Sequence, residues 1–236
     1  MEGTLDVNVY PSDIIFNETQ RILLFGSSNT GKTHLVEQLV KRHVDRFYRI
    51  VICGNRNRLL DFPQTKNITE LYGGRGAEGD GIFDPFTEIE PYVLKKKKDE
   101  NKQMLVIYDD MMEAVYKSPV VSKIFSKGRH LGVSSIVILQ SYFPTGKGQN
   151  LFPQIKNNST IQIFTKARSQ GEIGMIAARL EFGKRYRDFF MQLFKKEVQE
   201  KRFGYLAVQL DCSDGRLKYY NNLVREDGTP YLTLFV

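Results

Sequence analysis

Five apolar runs punctuate this chain, and each ends in a glycine or a polar residue. They are "RILLF" (21–25), which stops at glycine, "YRIVICG" (48–54), "MLVIYDD" (104–110), "SSIVILQ" (134–140) and "STIQIFTK" (159–166). Short, continuous apolar runs without polar alternation predict strands buried on both faces. Between the first two, Leu35, Val36, Leu39 and Val40 share one side of residues 32–44, with Glu37, Lys41 and Arg42 elsewhere, which is the stripe of an amphipathic helix. Strand, helix and strand within about thirty residues form a βαβ unit with parallel strands. Further on, Ile173, Ile176, Ala177 and Leu180 mark one helix. Tyr186, Phe189, Phe190, Leu193 and Phe194 mark another. "FGYLAVQLD" and "GRLKYYNNL" read as two strands around a "DCSDG" turn. Residues 55–100 are less regular, and "GGRGAEGDG" (73–81), with five glycines in nine residues, predicts a mobile loop. The pattern predicts one α/β domain over residues 1–236. Its core, about residues 20–180, is a mostly parallel central sheet flanked by helices, followed by a small β-containing C-terminal extension, about 181–236.

Composition narrows the picture little. With 236 residues and 41% hydrophobic positions the chain can bury a sizeable core. Its 34 basic and 27 acidic residues leave a net charge of +7, a weak pointer to nucleic acid because many soluble proteins are basic. The run "KKKKDE" (95–100) reads as a solvated segment before the next strand, with a DNA contact as the other reading. The two cysteines, Cys53 and Cys212, form no CxxC pair and read as reduced thiols, which suits an intracellular compartment. "MEGTLDVNVYPSD" has no basic segment leading into an apolar one, so no signal peptide is expected. No apolar stretch approaches the ~20 residues of a membrane span, and no membrane partner is expected.

Chemistry enters at the ends of the runs. Gly26, Ser27, Ser28, Asn29, Thr30, Gly31, Lys32 and Thr33 match GxxxxGK[ST] without a gap, after an apolar strand and before an amphipathic helix. Gly26 and Gly31 let the backbone wrap so that its N–H groups face phosphates, and the helix N-terminus adds partial positive charge. Lys32 would reach the β- and γ-phosphates, and the Thr33 hydroxyl would ligate Mg²⁺. "LVIYDD" sets Asp109 at the end of a buried strand, where it would hold Mg²⁺ directly or through water. Asp110, one residue on, stands where hydrolytic P-loop proteins often carry a water-polarising glutamate, on a side chain one methylene shorter; its alternative is to cap the following turn. "SSIVILQ" ends in Gln140, a candidate to sense the γ-phosphate or orient the attacking water; its alternative is an ordinary strand-end amide. The following "SYFPTGKG" predicts a loop. An additional strand between the phosphate-loop strand and the Mg²⁺ strand, with "YRIVICG" as its candidate, joins the acidic pair and the sensor strand in pointing to the additional-strand class of P-loop ATPases. The GTPase motif NKxD is absent: "NKQM" (101–104) lacks the aspartate.

With these motifs in hand, the sequence resembles the FtsK/HerA-type genome-packaging ATPases of large double-stranded DNA viruses. It is most similar in pattern to the poxvirus-type packaging ATPases and their relatives in Polinton-like elements and virophages. The residues that carry the resemblance are "LLFGSSNTGKTHL", "LVIYDDMM", "KGRHLGVSSIVILQSYFPTGKG" and "IFTKARSQGEI", spanning about residues 20–180. The phosphate loop is shared with many families; segment 127–147 is far more specific. The resemblance implies an ATP-driven translocase that packages double-stranded DNA into a preformed capsid. It implies a homo-oligomeric ring, pentamer or hexamer, whose sites lie between subunits and receive an arginine from a neighbour. Arg129 in "KGRHLG" is the first candidate for that arginine and Arg168 in "KARSQ" the second. ATP and Mg²⁺ are the implied ligands, and DNA backbone and a capsid or portal protein the implied partners. The implied place of work is intracellular, at virus assembly sites in the cytoplasm or nucleus, or on the virion. DNA would meet loops lining the ring, such as 73–81 or the basic stretch around Lys95–Lys98. A slowly hydrolysing nucleotide switch, a nucleotide kinase and a helicase are the competing readings. No arginine-rich lid and no helicase motif series is visible in the sequence.

Overall fold

The structure, a computed structural model, describes residues 8–10, 16, 18–55, 68–74, 82–143, 150–167, 169–180, 184–210, 218–220, 223 and 232–234. Its elements begin with β1 (Asn8–Tyr10), β2 (Arg21–Phe25), α1 (Lys32–His43), β3 (Phe47–Asn55), β4 (Ile68–Gly74), α2 (Pro85–Glu88), α3 (Pro91–Asp99) and β5 (Gln103–Asp109). They continue with α4 (Met112–Lys117), α5 (Pro119–Lys127), β6 (Val133–Leu139), α6 (Phe152–Asn157), β7 (Ile161–Phe164), α7 (Gln170–Arg179) and α8 (Lys184–Phe194). Three short strands follow: β8 (Leu206–Gln209), β9 (Lys218–Tyr220) and β10 (Leu232–Leu234).

The five apolar runs are strands of one eight-stranded sheet in the order β4-β3-β5-β6-β2-β7-β8-β9. The first six are mutually parallel, while β8 and β9 pair antiparallel at one end. A separate pair joins β1 to β10, antiparallel. The strands' alternate side chains feed two apolar layers. On one face Ile22, Leu24, Ile50, Ile52, Leu105, Ile107, Ile136 and Ile138 pack with Leu35, Val36, Leu39 and Val40 of α1, so the helical stripe finds its sheet. On the other face Leu23, Phe25, Val106, Tyr108, Val137 and Leu139 pack under Leu94 of α3, Val121, Ile124 and Phe125 of α5, Ile173 and Ile176 of α7, and Phe190 and Phe194 of α8. Local chemistry starts several of these helices. Ser118 accepts a hydrogen bond from Val121 N (3.2 Å) ahead of Pro119, and Ser169 accepts one from Glu172 N (3.2 Å).

Strand order corrects one expectation. The strand between the phosphate-loop strand β2 and the acidic strand β5 is β6, the run "SSIVILQ"; "YRIVICG" in β3 lies on the far side of β5. β3 is parallel to β2 as expected, but two strands intervene. All seven residues of β6 are buried, as a strand sandwiched between two neighbours and two helical layers requires. Parallel pairing and apolarity are alike in β3 and β6, so composition could not rank them. Residues 55–100, read as irregular, contain β4, α2 and α3, and "KKKK" occupies the C-terminal part of α3, where lysines complement the helix dipole. Residues 75–81 and 144–149, the "DCSDG" turn with Cys212, and Arg168 lie outside the described residues.

Parallel pairing brings the strands' C-terminal ends together. Phe25 is in register with Leu139 on one side and Phe164 on the other, and Asp109 with Ile138. The residues that follow these strands therefore share one edge of the sheet, where ligand sites of open α/β sheets lie.

Candidate active site

The phosphate loop is clamped between two strand ends. Gly26 N donates to Leu139 O (3.2 Å) at the tip of β6, and Ser27 N donates to Lys166 O (2.9 Å) just past β7. Thr165 tightens the clamp: its backbone N–H reaches Phe25 O (2.8 Å), its hydroxyl lies 3.0 Å from the same oxygen, and it meets the Thr30 hydroxyl at 2.6 Å. Gly26 has φ +150°, and a Cβ there would sit 1.8 Å from Thr165 Oγ1, so no side chain fits. The loop then turns through Asn29 (φ +60°) and Gly31 (φ +83°) into α1. Gly31 carries no side-chain cap, so the first N–H groups of α1 face outward with the helix's positive end.

Lys32 is buried, and its ammonium donates to Gly26 O (2.7 Å) and Ser27 O (2.6 Å), folded back over the loop it follows. Across a cavity of about 540 Å³ stand Asp109, Asp110 and Gln140; the wall nearer the helix is Ser28 to His34 with Glu37. Asp109 is buried. Asp110 takes a left-handed backbone, φ +55°, which aspartate tolerates better than most residues. Its Oδ1 accepts from Gln140 Nε2 at 2.5 Å. The amide N–H of Gln140 points at Met112 Sδ (3.3 Å), which steadies the strand end that carries the side chain.

The cavity thus gathers Ser28, Asn29, Thr30, Gly31, Lys32, Thr33, Asp109, Asp110 and Gln140 from the sequence-derived set. Gly26 and Ser27 do not line it; they anchor the loop to the ends of β6 and β7 through the bonds above. Arg129 is elsewhere: it is exposed on the short 3₁₀ turn Gly128–Leu131 that precedes β6. The seven residues of β6 separate it from Gln140, roughly 20 Å at the usual strand rise. The site also holds groups the sequence did not flag. Thr165 lies at the polar end of an apolar run, the same signal that marks Gln140. His34 and Glu37 line the cavity from α1, with His34 Nδ1 3.7 Å from Glu37 Oε2. Outside the cavity, Cys53 is buried on β3, and burial pushes its thiol up to about 12, so it stays protonated and inert, in line with the reduced thiol read from the sequence.

Asp109 and Thr33 face the same cavity with a carboxylate and a hydroxyl, hard oxygen donors of the kind Mg²⁺ accepts.

A mostly parallel sheet with a strand inserted between the phosphate-loop and acidic strands, and a GxxxxGKT loop at its edge, defines a P-loop ATPase of the additional-strand class. The poxvirus A32 protein family matches residues 9–146, and the chain belongs to that family. No curated protein matches it significantly in sequence. Among solved structures it is similar to the genome packaging NTPase B204 from Sulfolobus turreted icosahedral virus 2 in complex with ATP-gammaS. That likeness has a TM-score of 0.53 at 16% identity, over 85% of this chain and 96% of that one. It is similar also to B204, the DNA-packaging ATPase from Sulfolobus turreted icosahedral virus, with a TM-score of 0.55 at 15% identity over 86% and 97%. A third likeness is to EssC (ATPases 2 and 3) from Geobacillus thermodenitrificans, with a TM-score of 0.54 at 14% identity over 92% of this chain and 39% of that one. At such identities these likenesses establish the fold.

Proposed function

We propose that this chain hydrolyses ATP to drive double-stranded DNA into a preformed capsid. Membership of the poxvirus A32 family makes it a viral DNA-packaging ATPase. The observation that carries the mechanism is the meeting of Lys32, Thr33, Asp109, Asp110 and Gln140 around one cavity.

The N–H groups of the later loop residues and the positive end of α1 hold the β- and γ-phosphates. Lys32 leaves the carbonyls of Gly26 and Ser27 and swings to the phosphates, where it offsets the charge that builds on the γ-phosphoryl oxygens. Thr33 and Asp109 would hold Mg²⁺, which supplies charge neutralisation between the phosphates. Asp110 and Gln140 act as a pair. The amide fixes the carboxylate's rotamer, and the pair stands where its oxygens would accept a hydrogen bond from a water aligned with the γ-phosphorus. The gain is one of positioning and electrostatics rather than covalent chemistry.

The chain works as a ring, pentameric or hexameric. Arg129 is too far from its own cavity to serve it and is exposed, as an arginine offered to a neighbour must be. Arg168 is the second candidate. DNA is held through its phosphates, without sequence readout, by the basic stretch Lys95–Lys98 and by loops such as residues 73–81, where Arg75 is the one basic side chain. Among the described residues no helix is long and apolar enough to cross a membrane.

Steady-state ATPase rates, with and without double-stranded DNA, test this reading. The normal chain should be stimulated by DNA, less so as salt rises, while Lys32→Ala should lose on the order of 10²–10³ in turnover under both conditions. ATP turnover abolished by Lys32→Ala but indifferent to DNA at every salt concentration would instead mark a nucleotide switch.

A further inference from the structure

The nucleotide site described above accounts for phosphates and metal but assigns nothing to the base. Among the described residues three large apolar side chains are strongly exposed, and one of them, Phe203, is 58% exposed beside the phosphate loop. A Cβ built on Gly31 would lie 3.2 Å from Cδ1 of its ring. The ring's position follows from the sheet. β8 runs antiparallel to β7, with Leu206 opposite Phe164, so the turn before β8 emerges on the edge that carries the loop.

The direction is informative. In the sheet β2 has β6 on one side and β7, then β8, on the other. Asp109 ends β5, and Asp110 and Gln140 directly follow β5 and β6, so the γ-phosphate end of a nucleotide lies on that side. The sugar and base must leave the loop on the opposite side, toward β7 and β8, and that is where Phe203 stands.

The turn that presents the ring is firmly built. Glu197, 4% exposed, pairs with Lys201. Gly204 is buried, and a Cβ there would lie 2.2 Å from Glu197 O, so backbone packs on backbone directly after Phe203. The Arg202 guanidinium sits 5.2 Å from the ring centroid, placing a cation beside a ring next to the phosphate loop. An exposed aromatic on a rigid turn, backed by an arginine, is a stacking surface for a flat π-system.

We infer that Phe203 is the platform on which the purine base of the bound nucleotide stacks, with Arg202 backing the ring. The inference rests on the nucleotide reading of the site, and it gives the C-terminal segment a part in binding.

The test uses the full chain with two ligands, ATP and inorganic tripolyphosphate, which has the phosphates without the base. Phe203→Ala should weaken ATP binding roughly 5- to 100-fold and leave tripolyphosphate binding unchanged. Phe203→Tyr should restore ATP affinity. Because the chain has no tryptophan, Phe203→Trp introduces a single reporter, whose emission should change on adding ATP and not on adding tripolyphosphate. If Phe203→Ala binds ATP as tightly as the normal chain while Lys32→Ala does not bind it, the platform is wrong and the nucleotide site stands. Equal losses for both ligands would also overturn the platform, since the ring would then act on the loop rather than the base. If the normal chain binds neither ligand, both readings fall.

Discussion

The hydrogen bond between Asp110 and Gln140 joins two residues thirty positions apart, each the first polar group beyond an apolar strand. Both were legible because the end of a buried run in a parallel sheet is where a polar side chain meets solvent and ligand. Their mutual bond was not legible, since it depends on β5 and β6 being neighbours. Asp110→Asn should bind ATP with near-normal affinity yet turn it over on the order of 10²–10⁴-fold more slowly, readable by comparing nucleotide Kd with kcat. Gly26 and Thr165 illustrate the opposite case. The glycine was expected from the loop's phosphate chemistry, but the reason no other residue fits is a hydroxyl 139 positions away in the chain, which no local pattern reveals. Gly26→Ala should cost about 1–3 kcal/mol for backbone strain alone, with the clash adding to it, and a lowered Tm together with lost nucleotide binding would be the measured result.

At the scale of elements, strands were readable one by one and their order was not. Apolar runs identify themselves through burial, whereas pairing partners are chosen across long stretches of chain by helices and side chains not adjacent in sequence. Part of that choice sits at the N-terminal edge of the sheet, opposite the site. There Ser134 Oγ donates to Gln103 Oε1 (2.7 Å) and accepts from Gln20 N (2.9 Å), while Thr160 Oγ1 donates to Gln20 Oε1 (2.6 Å) and accepts from Arg21 N (2.9 Å). The chain of bonds links the starts of β5, β6, β2 and β7, and so pins the register that aligns their far ends. Thr160→Val keeps shape but strips a buried acceptor and a backbone donor of their partner. Denaturant unfolding should show a loss of about 1–3 kcal/mol with little change in ATP affinity. The segments that escaped the sequence reading are β4, which is mixed in polarity, and the three-residue strands β1 and β10, which meet only in three dimensions.

At the scale of the whole molecule, the arginine question becomes a mixing experiment. In the proposed ring, subunits carrying Arg129→Ala would lack the donated arginine but keep an intact pocket, and subunits carrying Asp110→Asn would bind ATP without turning it over but keep the arginine. Mixtures should recover a measurable share of ATPase activity that neither variant has alone. No recovery at any mixing ratio would exclude Arg129 as a residue given to a neighbour. Charge complements this picture: a net +7 is modest, so DNA affinity should come from a few phosphate contacts and fall steeply between low and physiological salt.

The placement of Arg129 before β6 and of the cavity after it has a geometric consequence. If one end of a strand must touch the other end of a strand in the next copy, the copies can only join nose to tail, with strand direction running along the circumference. A circle assembled that way has a sense of rotation built into its covalent chemistry. Each subunit can prompt the neighbour on one side and be prompted only from the other, so a wave of hydrolysis would travel around it one way.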